Sequence, residues 1–353
     1  MKVVIAAAGT AGHINPGIAI ANKIKKEEPD SKIIFIGTTR GLENDLVPRA
    51  GYELKTINAY GITRELKIKN IKRFLATMKS KKEAKIILEE FKPDIVIGMG
   101  GYICMPTISV ANRLGIPTIL HESNAFPGIA TKLLSKSVKS VLIGFEEARA
   151  RLKNAKRVVL TGNPIKIDKI KVDLSIIRKE YNMINPYPII LVFGGSQGAK
   201  KINDVLIDII SKKLNEKYNI IWATGASAYD NVKEEINSNG LNINNIDKVK
   251  VLPYIYNMEE LMNACDMLVC RSGSMTIAEI AKIGKPAIFI PFPFATENHQ
   301  EYNAKVLEEK GAAKIILDKE LTSEKLNDLI NDIIKDENKL IEMSKNARKG
   351  LYT

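Results

Sequence analysis

Apolar runs of strand length alternate with amphipathic runs of helical length along the whole 353-residue chain. This alternation predicts the α/β class, in which parallel sheets carry helices on both faces. A chain this long exceeds one ordinary hydrophobic core, so we expect two domains. The predicted strands are residues 3–8, 32–37, 94–98, 118–121, 140–144 and 158–160, and then 188–193, 219–223, 248–252, 267–270, 287–291 and 314–317.

Each half of the chain opens with a strand, a glycine-rich loop and a helix. The first loop is residues 9–13, after which Asn15 is the predicted N-cap and Pro16 the first helical position; the second loop is residues 194–199. Two Rossmann-like halves of this kind face each other across a cleft and bind ligands at the carboxyl ends of their strands. We predict domains at 1–162 and 163–337, with the C-terminal helix, residues 338–353, a candidate to pack back on the first domain.

The positive charge is confined to one half of the chain. Residues 1–161 contain 27 lysines and arginines against 14 acidic residues, whereas residues 162–353 contain 26 of each. The first half therefore favours an anionic partner, which could be a membrane, a nucleic acid or a phosphorylated substrate.

Residues 64–85 concentrate this charge, with nine basic residues against two acidic ones and apolar side chains at helical spacing. One interpretation is a solvated helix docked on its own sheet. The other is a segment at the interface of an anionic membrane, where the apolar side chains enter the headgroup zone and the lysines meet lipid. The residues assigned to that contact are Ile68, Ile71, Lys72, Phe74, Leu75 and Met78. Nucleic acid is disfavoured, because aromatic platforms and recognition motifs are lacking.

The three cysteines, Cys104, Cys265 and Cys270, show no paired spacing, and we interpret them as buried thiols of a reducing compartment. No apolar run approaches the roughly 18–20 residues that a membrane-spanning helix needs. We therefore expect a cytoplasmic protein with at most a peripheral contact on the inner face of the membrane.

The segment 270–304 carries the clearest chemistry. A strand runs into Ser272, Gly273 and Ser274, whose backbone N–H groups are free at a helix start and attract a phosphate. Glu279 follows about one turn later and can accept hydrogen bonds from both hydroxyls of a ribose. The alternative is that Glu279 merely favours the first half of a helix.

The run Gly194-Gly195-Ser196-Gln197-Gly198 also fits the nucleophile elbow of a serine hydrolase, with Asp266 and His299 following in hydrolase order. A hydrolase gives no reason for the second glycine-rich loop at the N-terminus. Loop amides together with the Ser196 hydroxyl suit a diphosphate better.

The three histidines, His13, His121 and His299, each lie in or beside a loop that follows a strand, which favours functional roles for the set over structural ones. They lack metal-ligand spacing, and no two aspartates are separated by one residue. A nucleotide-sugar enzyme built this way would stabilise its leaving diphosphate with helix ends and loop amides instead of a metal ion. Glu122, in the loop after His121, could serve in acid–base catalysis or anchor that loop.

Several segments share the order and spacing of one family. They are Gly98-Met99-Gly100-Gly101-Tyr102, His121-Glu122-Ser123-Asn124, Gly162-Asn163-Pro164, residues 194–199, Cys270-Arg271-Ser272-Gly273, Glu279 and His299-Gln300. Together they resemble the bacterial peptidoglycan glycosyltransferases that convert lipid I to lipid II. The resemblance implies a GT-B fold, UDP-N-acetylglucosamine bound by the C-terminal domain, and lipid I (undecaprenyl-pyrophosphoryl-MurNAc-pentapeptide) bound by the basic N-terminal domain at the membrane. It also implies transfer with inversion and no cofactor.

The same resemblance implies residue roles. Glu279 would hold the ribose, the Tyr254-Ile255 backbone would meet uracil, and His299 with Gln300 would read the sugar hydroxyls. The donor set is Gly195, Ser196, Gln197, Ile255, Arg271, Ser274, Met275, Thr276, Glu279, His299 and Gln300. The acceptor set is Thr10, Ala11, Gly12, His13, Tyr102, Asn124 and Lys166. His13 is the candidate general base, with orientation of the acceptor diphosphate as its alternative role, and Glu122 is a second catalytic candidate.

Two positions depart from the family pattern. Ala8 and Ala11 replace glycines of its first loop, and alanine disfavours positive φ. Lys166 stands where the family often has arginine, and lysine cannot make a bidentate phosphate contact.

The rival functions are a UDP-sugar:diacylglycerol glycolipid synthase, a UDP-N-acetylglucosamine epimerase and a non-catalytic nucleotide-sugar binding protein.

Overall fold

The computed structural model describes residues 1–60, 69–195 and 198–349, without the side chains of residues 69–78. The chain divides into two compact units, Met1–Lys166 and Ile167–Thr353. The residues predicted to contact a membrane, Ile68, Ile71, Lys72, Phe74, Leu75 and Met78, fall outside the described residue positions or side chains, so that contact stays a prediction.

The first unit is built on a parallel sheet of seven described strands in the order β3-β2-β1-β4-β5-β6-β7. The strands are β1 Lys2–Ala6, β2 Lys32–Gly37, β3 Glu53–Thr56, β4 Ile95–Gly98, β5 Thr118–Glu122, β6 Ser140–Ile143 and β7 Val158–Leu160. The helices are α1 Ala11–Glu27, α2 Glu43–Arg49, α3 Lys69–Phe91, α4 Cys104–Arg113 and α5 Ile129–Leu134, with a 3₁₀ helix at Glu146–Arg151.

The second unit has a parallel sheet of six described strands in the order β10-β9-β8-β11-β12-β13. The strands are β8 Ile189–Phe193, β9 Asn219–Ala223, β10 Val249–Leu252, β11 Met267–Cys270, β12 Ala287–Phe289 and β13 Ala313–Ile315. The helices are α6 Leu174–Tyr181, α7 Lys200–Ser211, α8 Tyr229–Ser238, α9 Met258–Ala264, α10 Ser274–Ile283, α11 His299–Glu309, α12 Ser323–Ile334 and α13 Glu337–Lys349, with 3₁₀ helices at Thr296–Asn298 and Asp318–Glu320.

The two sheets share one topology, and it explains the apolar runs of the sequence. The opening strand of each unit, β1 or β8, is flanked by strands on both sides, and helices connect the parallel strands. A parallel strand covered on both faces must be apolar throughout, and every residue of β8 and of β11 is buried. The predicted α/β class with two parallel-sheet units is confirmed.

The prediction for the start of α1 is wrong. The helix begins at Ala11 with Thr10 as its N-cap, and Pro16 lies inside it. The N–H groups of His13 and Ile14 both donate to the Thr10 carbonyl, so the first turn closes before Pro16 is reached. Burial of Ile14 and Ile18, four residues apart, holds this longer helix on the sheet despite the hydrogen bond that proline cannot donate.

The replacement of two family glycines by alanine costs no backbone strain. The positive φ of this loop is at Gly9, at +91°, and neither Ala8 nor Ala11 has a positive φ. Ala11 occupies the first helical position, where alanine is favourable. The loop therefore keeps glycine at its left-handed position.

The C-terminal helix α13 packs within the second unit. It contacts α10 and α12, and its Met343 and Ala347 are buried. The Ser344 hydroxyl donates to the Gly284 carbonyl at 2.5 Å. The further prediction that this helix packs on the first domain stays a prediction.

The segment that follows Lys166 is attached to α9. The Asp168 N–H donates to Oε1 of Glu259 at 2.8 Å, and the Asn263 amide donates to the Asp168 carbonyl at 3.0 Å. This segment is therefore held by hydrogen bonds of the second unit.

All three cysteines are free and buried, as predicted. Burial raises the pKa of the Cys104 and Cys265 thiols to about 12 and also raises that of Cys270, which keeps all three protonated.

Among the described residues, no helix combines the length and the apolar character needed to cross a membrane.

Candidate active site

A pocket of about 170 Å³ opens in the second unit at the carboxyl ends of β8, β9 and β10 and beside α10. Four residues of the predicted donor set line it together: Gly195, Ile255, Thr276 and Glu279. The remaining lining residues are Phe193, Ala223, Gly225, Pro253, Tyr254, Met258 and Met262. An apolar pocket with few polar groups at the carboxyl edge of a parallel sheet is the usual form of a nucleotide site.

Glu279 is the acidic group of this pocket. No described residue forms a hydrogen bond or an ion pair with its carboxylate, and burial raises its pKa to about 7. A partly buried acid without donors is costly to ionise, so it favours a ligand that brings its own donors. Two neighbouring hydroxyls, such as those of a ribose, supply them.

Glycine is required where the two loops beside the pocket meet. Gly198 has φ +74°, and a Cβ on it would lie 2.2 Å from the Thr224 carbonyl oxygen. The Asn203 amide donates to that same oxygen at 3.0 Å. The loop after β8 and the loop after β9 are thus packed backbone against backbone, and Gly225 reaches the pocket wall.

The start of α10 leaves backbone donors next to the pocket. The helix begins at Ser274, its N-cap Gly273 is extended, and no side chain caps it. The N–H groups of Met275 and Thr276 therefore have no partner within the helix, which makes this end attractive to an anion. Thr276 lines the pocket, whereas Ser274 and Met275 are not among its lining residues.

Arg271 is held by bonds to the loops around it. Its Nη1 forms an ion pair with Asp318 at 2.5 Å and donates to the carbonyls of Ile290 and Pro291 at 3.0 and 3.1 Å. These bonds tie the end of β11 to the segment after β12 and to the 3₁₀ helix that holds Asp318. Arg271 thus holds these loops together, and its contact with the donor stays a prediction.

His299 and Gln300 are held by their own loop. The Phe292 N–H donates to Oε1 of Gln300 at 2.9 Å, and Nδ1 of His299 donates to the Thr296 carbonyl at 2.6 Å. Glu297 and Asn298 precede them with φ of +52° and +56°, a conformation that side chains disfavour. Neither His299 nor Gln300 lines the described pocket, so their contact with a sugar stays a prediction.

Apart from Lys166, the predicted acceptor residues follow the neighbouring strands β1, β4 and β5. The imidazole of His13 lies against the Gly100-Gly101 turn, where a Cβ on Gly100 would be 3.2 Å from its Cδ2. Thr10 Oγ1 and His13 Nδ1 are 3.4 Å apart, and Tyr102 lies 4.0 Å from the Cβ position of Gly9. The structure thus brings Thr10, His13 and Tyr102 together, with Ala11 and Gly12 in the same turn of α1.

Glu122 is an anchor for its own loop. It is buried, and its carboxylate accepts hydrogen bonds from the backbone and side-chain amides of Asn124 at 3.0 and 3.2 Å and from the Gly128 N–H at 3.0 Å. This arrangement fits the anchoring alternative, and the catalytic role of Glu122 stays a prediction. It also fixes the predicted acceptor residue Asn124.

His121 lies at the junction of two loops of the first unit. It is buried, its Nε2 donates to the Gly162 carbonyl at 3.3 Å, and burial lowers its pKa. The Asn163 amide donates to the Ser123 carbonyl at 3.0 Å. The Gly162-Asn163-Pro164 motif therefore fastens the loops after β5 and β7, and His121 is a structural residue of that junction.

The remaining predicted site residues are Lys166, Ser196 and Gln197. Lys166 is exposed and is the last residue of the first unit. Ser196 and Gln197 lie outside the described residues.

Sequence reasoning missed Asn203, Gly225, Met258 and Met262 around the pocket. Their only sequence signal is that each lies in the loop or the helix after a strand.

A larger cavity of about 490 Å³ lies at the opposite edge of the same sheet, before β8 and β9. Its lining residues are Pro188, Lys217, Asp328, Asn331, Asp332, Ile334 and Lys335. It has neither a glycine-rich loop nor a helix start among them, so we assign it no part in the chemistry.

Two family models match the chain. The glycosyltransferase family 28 N-terminal domain matches residues 3–143, and the glycosyltransferase family 28 C-terminal domain matches residues 189–352. The chain belongs to glycosyltransferase family 28. The two matched regions of this family 28 chain lie one in each compact unit.

Relatives within the family are similar over almost their whole length. The UDP-N-acetylglucosamine--N-acetylmuramyl-(pentapeptide) pyrophosphoryl-undecaprenol N-acetylglucosamine transferase of Acetivibrio thermocellus is 44% identical, over 99% of this chain and 93% of the relative. The transferase of the same name from Ruminiclostridium cellulolyticum is 41% identical over 100% and 96%. Among solved structures, Acinetobacter baumannii MurG superimposes with a TM-score of 0.77 at 28% identity, over 99% of this chain and 94% of that one. The family 28 chain has the two-unit GT-B fold of that enzyme.

Proposed function

We propose that this chain is the peptidoglycan glycosyltransferase that moves N-acetylglucosamine from UDP-N-acetylglucosamine to the 4-hydroxyl of N-acetylmuramic acid in lipid I, which forms lipid II. The names of its full-length relatives support this reaction. The family assignment gives no support to a serine hydrolase built on Ser196.

The observation that carries the proposal is the carboxylate of Glu279, which has no partner among the described residues and lies in a pocket beside a helix start that no described side chain caps. Ribose hydroxyls would donate to Glu279, and the diphosphate would meet backbone amides at the start of α10 and in the glycine-rich loop after β8. Uracil would lie against Tyr254 and Ile255, which line the same pocket.

The acceptor belongs to the first unit in this proposal. Thr10, His13, Tyr102 and Asn124 follow three neighbouring strands, so they can meet one ligand. The excess of 13 positive charges in residues 1–161 favours a pyrophosphate and an anionic membrane surface. The apolar residues of segment 68–78 would reach the lipid.

Transfer would be a single displacement with inversion. The acceptor hydroxyl gives its proton to a base, for which His13 is the candidate, as its oxygen bonds to the anomeric carbon. The bond from that carbon to the diphosphate breaks, and backbone amides at the start of α10 stabilise the charge that develops on UDP. UDP-N-acetylglucosamine is a substrate in this scheme, and neither a cofactor nor a metal ion takes part, so we expect full activity in EDTA.

The test measures transfer of labelled N-acetylglucosamine from UDP-N-acetylglucosamine by the purified full-length protein. We expect a labelled lipid product with lipid I, none with diacylglycerol, and negligible free sugar when acceptor is omitted. Transfer to diacylglycerol would indicate a glycolipid synthase. Release of free sugar without acceptor would indicate an epimerase, and UDP binding without turnover would indicate a binding protein.

A further inference from the structure

The loop after β1 is held by an acidic residue that belongs to neither predicted set. Glu43, the first residue of α2, is fully buried. Its Oε2 accepts a hydrogen bond from the Gly9 N–H at 2.9 Å. Its Oε1 accepts from the Thr38 N–H at 2.8 Å and from the Thr38 hydroxyl at 2.7 Å. One carboxylate thus joins the loop after β1 to the loop after β2.

The space around this carboxylate is shaped to receive it. A Cβ on Gly37 would lie 2.7 Å from Cγ of Glu43, and one on Gly41 would lie 1.9 Å from its Oε2. The Asn44 amide donates to the carbonyls of Thr38 and Gly41 at 2.9 and 3.0 Å, which closes the second loop around Glu43. Burial opposes ionisation of Glu43, but the hydrogen bonds from Thr38 and Gly9 outweigh it, and the pKa is lowered.

The bond to Gly9 controls the residues that follow. Gly9 has φ +91° and no side chain, so nothing of its own fixes the loop in that conformation. Thr10, the next residue, is the N-cap of α1, and His13 lies in the first turn. The direction in which Thr10 and His13 face therefore depends on a peptide that Glu43 holds.

We infer that Glu43 is a positioning residue for the acceptor: it fixes the Gly9 peptide so that Thr10 and His13 at the start of α1 face the acceptor. This inference rests on the proposed function. Glu43 acts through Gly9 and takes no part in the chemistry, and it should affect the acceptor without affecting the donor, whose pocket is built from the second unit.

The test compares Glu43→Gln with Thr38→Val in the full-length protein. Glutamine keeps the volume but offers one acceptor atom and places an N–H₂ group among three donors. Valine at position 38 is equally buried and removes one bond to Glu43, yet leaves the bond from Gly9 intact. For Glu43→Gln we expect kcat/KM for lipid I to fall by about 10- to 100-fold, as small misplacements of catalytic groups do. The KM for UDP-N-acetylglucosamine should stay within about twofold, and Thr38→Val should keep kcat/KM for lipid I within about threefold.

A second readout does not depend on turnover. Hydrogen exchange of the segment 8–13, measured by mass spectrometry, should be faster in Glu43→Gln and unchanged in Thr38→Val. Unchanged exchange in Glu43→Gln, an equal loss of activity in both variants, or a parallel rise in the KM for the donor would overturn the inference. Should Glu43→Gln not fold, Glu43→Asp takes its place with the same expectations, because the shorter side chain cannot reach both loops. If the wild-type protein transfers nothing to lipid I, the proposed function fails, whereas the exchange comparison still decides whether Glu43 holds the loop.

Discussion

The indole Nε1 of Trp222 donates a hydrogen bond to Oδ1 of Asn203 at 3.1 Å, while the amide of the same asparagine donates to the Thr224 carbonyl. Both side chains are buried, and Thr224 immediately precedes Gly225 at the pocket wall. A core hydrogen bond thus sets the shape of the loop beside the proposed nucleotide site.

Asn203→Ala tests this connection. The substitution leaves a buried N–H and a buried C=O without partners, which costs about 1–3 kcal/mol each. We expect a lower melting temperature and weaker binding of UDP, measured by calorimetry. Asn237→Ala, at an exposed position of α8, is the matched control and should change neither quantity. Wild-type affinity for UDP in Asn203→Ala would separate this hydrogen bond from the donor site.

Glu279→Gln tests the proposed ribose contact. The variant keeps the shape of the side chain and removes its charge, and a hydrogen bond to a charged group contributes about 1.5–3 kcal/mol. We expect UDP to bind about 10- to 100-fold more weakly in isothermal titration. Glu309→Gln, on the exposed side of α11, should leave the affinity unchanged. An undiminished affinity in Glu279→Gln would mean that the nucleotide binds elsewhere.

The raised pKa of Glu279 also predicts a dependence of stability on pH. The pKa is about 7 in the folded protein because of burial, against an ordinary value of 4.5. The folded state therefore holds this proton more tightly, and the stability gained is complete below about pH 4.5 and lost as pH rises through about 7. The difference amounts to about 3 kcal/mol at most. Calorimetry without ligand should show the melting temperature of Glu279→Gln rising relative to the wild type between pH 5 and 8. A constant difference across that range would argue against a buried, unpaired carboxylate.

His13→Gln tests the candidate base. Loss of a general base lowers kcat by about 10²- to 10⁴-fold, and protonation of a base makes kcat fall at low pH. At saturating lipid I and UDP-N-acetylglucosamine we expect that loss in the variant, together with disappearance of the decline at low pH. A modest loss that keeps the wild-type pH profile would instead assign His13 to orienting the acceptor diphosphate.

The sequence predicts most of this fold because parallel strands covered on both faces must be continuous apolar runs. The strand β3 was not predicted, because it is short, lies at the edge of the sheet and is not buried at any of its positions. The start of α1 was predicted wrongly, because Pro16 resembles a first helical residue. The hydrogen bonds that close the first turn are instead accepted by the Thr10 carbonyl.

Of the residues that form the pocket, the sequence predicted only those that belong to local motifs. Glu279 follows from its place in the helix after a glycine-containing loop. The role of Arg271 depends on Asp318, which is 47 residues away, and that of Glu43 depends on Gly9, which is 34 residues away. Neither contact leaves a local pattern. An acidic residue at the start of a helix, such as Glu43, is by itself explained by the helix dipole.

A crystal structure of the full-length protein with UDP bound tests the central claim most directly. The account predicts that the two ribose hydroxyls lie within hydrogen-bond distance of the Glu279 carboxylate, with the diphosphate at the start of α10 and uracil beside Ile255. UDP bound at any other place, with Glu279 still lacking a partner, would contradict it.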